Sequence, residues 1–289
     1  MNAILLFLVF VIDLFWPAPM AKVERYLQRW AQYLEEQLAY GSTESDWKVW
    51  LTGVLLPVLL VLIVQGVFSS LLVFFLLLVL LYLITGFKAL YARFEDVSMA
   101  LQFGDIDTAR LHLANWLKAE GEDAAATQLQ QSADAGHIAR LCAEIALKQY
   151  YRKVFAVLFW LLVGGPAGVL LYRLSHAFVR YCNHGATFIK HAMCIVDWLP
   201  VRLVACGLGL AGHFGAAYGS WQRHSSNWTD EAEDILLATA SGALGESLHH
   251  SASDFPAPGK ATLGRLKRLM YGTLWIFLFL FVIAEVIFA

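Results

Sequence analysis

Four ionisable side chains in this sequence stand inside or against apolar runs, and chemistry would be sought there first. Asp13 interrupts AILLFLVFVIDLFW, Arg173 follows GGPAGVLLY, and Asp197 and Arg202 bracket DWLPVR. A charge so placed must face protein or water, with a partner of opposite sign. Arg202 has Asp197 as its near acid and Asp13 as its distant one, and the arrangement serves either structural pairing or recognition of a ligand or partner. Arg173 also reads as an interfacial arginine whose aliphatic stem snorkels. The sequence contains none of the usual reactive constellations. The nine histidines include no H-E-x-x-H motif, and His249-His250 lies in Ser-rich sequence. Cys142, Cys182, Cys194 and Cys206 form no C-x-x-C pair, so they read as buried small hydrophobes. There is no G-x-x-x-x-G-K-[ST] phosphate loop. Ser220, Ser225 and Ser226 near His224 make no recognisable nucleophile arrangement. No catalytic residue, metal site or cofactor is assigned on these grounds.

A second feature is conformational. The stretch LFWLLVGGPAGVLLYRL, residues 158–174, has the flanks of a membrane helix but centres on Gly164, Gly165, Pro166 and Gly168. Glycine costs about 1 kcal/mol and proline about 3 kcal/mol in a helix interior. Broken backbone at membrane depth is tolerated only when buried in protein or lining a cavity. The segment is therefore either a kink for close helix packing or a break that lines a site.

The elements that position these residues follow from composition. Of 289 residues, 59% are hydrophobic and 15% charged, with mean hydropathy +0.58. Soluble domains are about half apolar and a quarter charged, so the chain is read as all-α, a polytopic helical membrane protein. The net charge of −2, with no basic face, excludes nucleic acid as a partner class. The N-terminus lacks the basic start and cleavage site of a secretory signal, so it reads as a retained membrane segment. Residues 1–87 hold the N-terminal membrane segments, with apolar runs at 51–64 and 71–87 forming a hairpin around QGVFSS. Lysines and arginines flank the hairpin and avoid its tip, which places both flanks in the cytoplasm. Residues 88–153 form a small cytoplasmic helical insert. In it Gly104, Gly121 and Gly136 end helical runs, and Asp105 or Asp107 opens the next helix.

Residues 154–289 form a C-terminal membrane region with the Gly-Gly-Pro break, a polar loop over 220–259 holding one short helix near 230–244, and a last membrane helix over 270–288. If 154–172 crosses outward, the stretch 198–219 must cross back. Alternatively, the Gly-Gly-Pro segment is re-entrant. Four to six crossings fit the sequence.

The pair LFWLLVGGPAGVLLYRL and DWLPVRL resembles the AmpE family of bacterial inner-membrane proteins, as do the length, the early paired helices, the insert and the single last helix. That resemblance implies a multi-pass inner-membrane protein with a signalling role in β-lactamase induction and cell-wall recycling. The same motifs resemble, more distantly, the membrane cobinamide-phosphate synthases of the CobD/CbiB type, which join an amino-alcohol phosphate to a corrinoid carboxylate. In that likeness the first Glu of the synthase pattern falls on Glu144, and L-F-W on Leu158, Phe159 and Trp160. The double glycine and Y-R fall on Gly164, Gly165, Tyr172 and Arg173, and W-[IL]-P-x-R-L on residues 198–203, from Trp198 through Arg202. The polar positions differ: E-N becomes Lys148-Gln149, D-G becomes Arg152-Lys153, and N-T-x-D becomes residues 176–179, His-Ala-Phe-Val. D-D becomes Met193-Cys194, and the Asn before Trp198 becomes Asp197. A nucleotide-dependent ligation would want carboxylates for Mg²⁺, and those positions changed. The expectation is a synthase-like scaffold with a pocket formed by Gly164, Gly165, Pro166, Gly168, Arg173, Asp197, Trp198, Arg202, Asp13 and Glu144. Its main reading is a regulatory protein in the lipid bilayer that binds a small ligand or a cytoplasmic protein partner through 88–153. The alternative is a membrane enzyme related to the synthases, using a nucleotide with Mg²⁺. A transporter finds little support, because no inverted repeat is present.

Overall fold

The computed structural model describes residues 20–38, 46–67, 87–131, 134–182, 187–224, 232–248, 259 and 261–288, with isolated positions at 12, 15, 74, 78 and 82. Every element among them is helical. Three stretches, Asp46–Gly66, Ala135–Tyr181 and Thr187–Ala211, are long and apolar enough to cross a membrane. The protein is an all-α membrane protein. Asp13, the first apolar run, most of the hairpin's second arm, Ser225, Ser226 and His249-His250 lie outside the described residues.

The helices fall into two compact units. The first draws on Met1–Phe87, Ala156–Pro200 and Phe281–Ala289. Its helix α1 (Met20–Leu38) is strongly amphipathic. Helix α2 (Asp46–Trp50) runs through a π-helical turn, Leu51–Leu55, into α3 (Leu56–Val67). With α8 (Ala156–Tyr181) and the start of α9 (Thr187–Ala211) these elements share a core of Ala31, Leu34, Val49, Val54, Leu174, Phe178 and Ile189. Gly53 permits that packing, since a Cβ there would lie 2.2 Å from the Phe178 ring. The π turn also leaves a carbonyl for an outside donor, and Trp30 Nε1 donates to Gly53 O at 3.4 Å.

The second unit draws on Lys88–Phe155 and Val201–Leu280. It contains α4 (Phe87–Phe103), α5 (Ile106–Ala119), α6 (Asp123–Gln131) and α7 (Ala135–Tyr150), followed by a second π-helical turn, Tyr151–Phe155. Asp105 is the N-cap of α5 and accepts from Thr108 N at 3.0 Å, which holds its carboxyl below the usual range. Gly104 and Gly121 end their helices at φ 80° and 81°, as expected. Gly136 does not. It lies in the first turn of α7, where its N–H donates to the cap Asp134 at 3.2 Å. A glycine after a polar stretch marks either helix end equally, and the capping aspartate decides which.

The unit continues with α10 (Phe214–His224), α11 (Ala232–Leu244) and α12 (Thr262–Phe288). The expected polar loop over 220–259 is corrected in part. Residues 220–224 complete α10, and α11 is buried from Ile235 to Leu244. Small residues make this contact: a Cβ on Gly242 would lie 2.5 Å from the Ala216 carbonyl oxygen. The apolar stretch expected over 198–219 begins earlier, at Thr187, and is divided at Gly212-His213 between α9 and α10.

Candidate functional site: the fold-back at Gly165

Helix α8 is two helices joined at a break. Gly165 sits at φ 59°, ψ −152°, a conformation essentially restricted to glycine. Beyond it the chain folds back. Residues 160 and 168 would be about 12 Å apart in a straight helix, yet a Cβ on Gly168 would lie 2.5 Å from the Trp160 carbonyl oxygen. Gly165 supplies the turn, and Gly168 lets the returning arm touch the outgoing one. Pro166 is buried at the start of that arm, where its missing N–H does no harm. The stretch 154–172 is therefore sharply broken at Gly165 rather than one straight helix.

The tip of the fold-back, Leu162, Val163 and Gly164, is exposed, whereas Pro166, Ala167, Gly168 and Val169 are buried. Trp160 Nε1 is buried with no hydrogen-bond partner among the described residues. A buried unsatisfied donor costs about 1–3 kcal/mol, so the indole N–H would gain from an acceptor. Arg173, half-buried, lies two turns along the returning arm. In the same unit, α9 carries buried Asp197 and half-buried Trp198, with Pro200 inside the helix. Arg202, also half-buried, follows Asp197 by five residues and falls in the second unit.

Glu144 belongs to the second unit, on α7. Its carboxylate pairs with Lys148 at 2.8 Å, one helical turn on. Lys148 also meets Glu233 of α11 at 3.1 Å, and Arg152 pairs with the same carboxylate. Lys153 and Arg93 converge on Glu120 Oε1 at 2.9 and 3.1 Å. Only the Glu144–Lys148 spacing was legible in the sequence. Glu233 and Glu120 lie far from their partners along the chain and carry no local signal. Among the described residues no group of three or more His, Cys, Asp or Glu could hold a metal ion. Glu144, Glu233 and Glu120 are each engaged by cations at the altered synthase positions.

The sequence model of the CobD/Cbib protein family matches residues 6–268. A cobalamin biosynthesis protein CobD of Chromobacterium violaceum is 29% identical over 217 residues, covering 68% of this chain and 66% of the relative. A protein of the same name from Stutzerimonas stutzeri is 30% identical over 181 residues, covering 60% and 57%. The chain thus spans less than two thirds of the length of either relative. No solved structure matches. The family match takes in the fold-back, the W-L-P-x-R-L stretch and the helical segment between Phe87 and Tyr150, and on that extent the chain belongs to the CobD/CbiB family.

Proposed function

We propose that this chain acts in cobalamin biosynthesis in the bacterial inner membrane, as a multi-pass enzyme related to the cobinamide-phosphate synthases that joins an amino-alcohol phosphate to a corrinoid carboxylate. The observation that carries this reading is the fold-back. The Leu158–Trp160 and Gly164-Gly165 positions of the synthase likeness build one tight turn that leaves the Trp160 indole N–H buried and unsatisfied. Such a donor suits a carbonyl or phosphate oxygen, and Arg173 on the returning arm supplies a cation for the same kind of group. The names of the two curated relatives point the same way.

A second reading, the AmpE-type signalling role, draws on one specific observation. Lys148 and Arg152 replace acidic residues of the synthase pattern and Lys153 replaces a glycine, and all three are engaged by internal carboxylates. This arrangement suits a scaffold that has exchanged a reaction for a docking surface on the segment 88–153.

Expression in a bacterium lacking its own cobinamide-phosphate synthase separates the two, with membrane insertion verified by fractionation. Corrinoid-dependent growth is the expected result. Absence of growth with normal insertion would overturn the enzyme reading. Restored β-lactamase induction in a strain lacking AmpE would then support the second.

A further inference from the structure

Helix α1 is too polar to cross a bilayer, yet it packs where three long apolar segments begin or end. Its Ala31 and Leu34 meet Val49 near the start of the Asp46–Gly66 stretch, Phe178 near the end of α8, and Ile189 near the start of α9. Around the helix the side chains fall into successive sectors. Leu27, Ala31, Leu34 and Leu38 face the core. Beside them Tyr26, Trp30 and Tyr33 form an aromatic stripe that is 70%, 40% and 56% exposed. Beyond that stripe Lys22, Arg25 and Arg29 form an exposed basic stripe along the first half of the helix. Of the acids on α1, Glu35 is buried, Glu24 is on another sector, and Glu36 lies beyond the basic residues toward the C-terminal end.

The neighbouring ends repeat this chemistry. Trp47 and Lys48 are exposed at the start of α2, with the lysine 5.7 Å from the Trp47 ring centroid. Phe188 and Lys190 are exposed at the start of α9. Aromatic rings beside cations, at the ends of apolar helices, are the composition of a membrane–water interface.

We propose that α1 lies in the interfacial plane and that its Lys22–Arg25–Arg29 stripe binds the headgroups of anionic lipids, with Tyr26, Trp30 and Tyr33 set at the boundary with the acyl chains. Charge complementarity and continuity with the ends of the apolar helices identify the occupant as lipid. A protein partner or a second copy would not call for aromatics in line with those ends. Basic residues near an anionic surface are attracted strongly over a Debye length, so the contact responds to both lipid charge and salt.

The test is hydrogen exchange of the full chain in nanodiscs of phosphatidylcholine, with or without phosphatidylglycerol, read over residues 20–38. Exchange is expected to be about tenfold slower with phosphatidylglycerol. The difference is expected to vanish in 0.5 M salt and in the variant Lys22→Gln/Arg25→Gln/Arg29→Gln. The double variant Tyr26→Ser/Tyr33→Ser should speed exchange in both lipids. Equal exchange of the native chain in the two lipids would overturn the proposal and leave a protein as the occupant. Protection that rises with the number of chains per disc, whatever the lipid, would also overturn it and indicate a second copy.

Discussion

The segment from Ala135 to Tyr181 contains two regions held by opposite means. From 156 to 181 the structure rests on what is absent: no Cβ at Gly165 or Gly168, no N–H at Pro166, and no charge before Arg173. From 144 to 153 it rests on charge, with Lys148, Arg152 and Lys153 each pinned by a carboxylate from the same or a distant helix. Glycine geometry admits almost no substitute, whereas an ion pair can be replaced wholesale by another stable arrangement. A scaffold can therefore keep its shape while the charges on it are rewritten. In the likeness to the synthases the glycine and aromatic positions of the first region match, whereas Lys148, Arg152 and Lys153 of the second differ.

The contrast can be broken from either side. The largest effect is expected in the charged region. Lys153 and Arg93 both reach Glu120, whose side chain is 3% exposed. Glu120→Ala removes a buried carboxylate from the largely buried Lys153 ammonium and should cost about 3–5 kcal/mol, read as a fall in thermal stability in detergent. The double variant Glu120→Leu/Lys153→Leu should recover much of that loss. If Glu120→Ala alone were harmless, the network would not be holding the region.

In the uncharged region, Gly168→Ala forces a methyl against the Trp160 carbonyl and should cost about 1–3 kcal/mol. Gly165→Ala has open space around it but keeps a positive φ, so its cost of about 1–3 kcal/mol comes from backbone strain alone. Gly164→Ala, with no atom within 4 Å, is the control and should change the melting temperature little. Equal effects at 164, 165 and 168 would contradict the fold-back.

The smallest effect is at the cap of α5. The Asp105 carboxyl lies below its ordinary value because it accepts from Thr108 N–H. Its contribution is therefore complete above the unfolded value near 3.8 and is lost as pH falls through the lower folded value. Asp105→Asn keeps the cap but should flatten this part of the acid limb in a melting-temperature profile from pH 5 to pH 2.

What could be read in advance follows the range of each interaction. The all-α membrane class, the caps at Gly104 and Gly121, a helix start at Asp105 or Asp107, and the break at Gly164-Gly165-Pro166 are local, and each announces itself in a few residues. The direction of the break was not legible, because a kink and a fold-back use the same glycines. Only the contact between Gly168 and Trp160 distinguishes them. The burial of α11 was hidden by polar neighbours at 225–231, although its own sequence ILLATASGAL is apolar and small enough to pack closely. The pairings of Glu233 and Glu120 depend on tertiary structure alone. Glu144, grouped with the pocket on the strength of the synthase likeness, pairs with Lys148 one helical turn on.

The most direct test of the central claim combines function with the fold-back. Strains lacking cobinamide-phosphate synthase would receive the native chain or Gly165→Ala, at equal levels in the membrane fraction, and corrinoid-dependent growth would be followed. The account predicts growth with the native chain and its loss with Gly165→Ala. Failure of the inserted native chain to support growth, or equal growth with both, would contradict it.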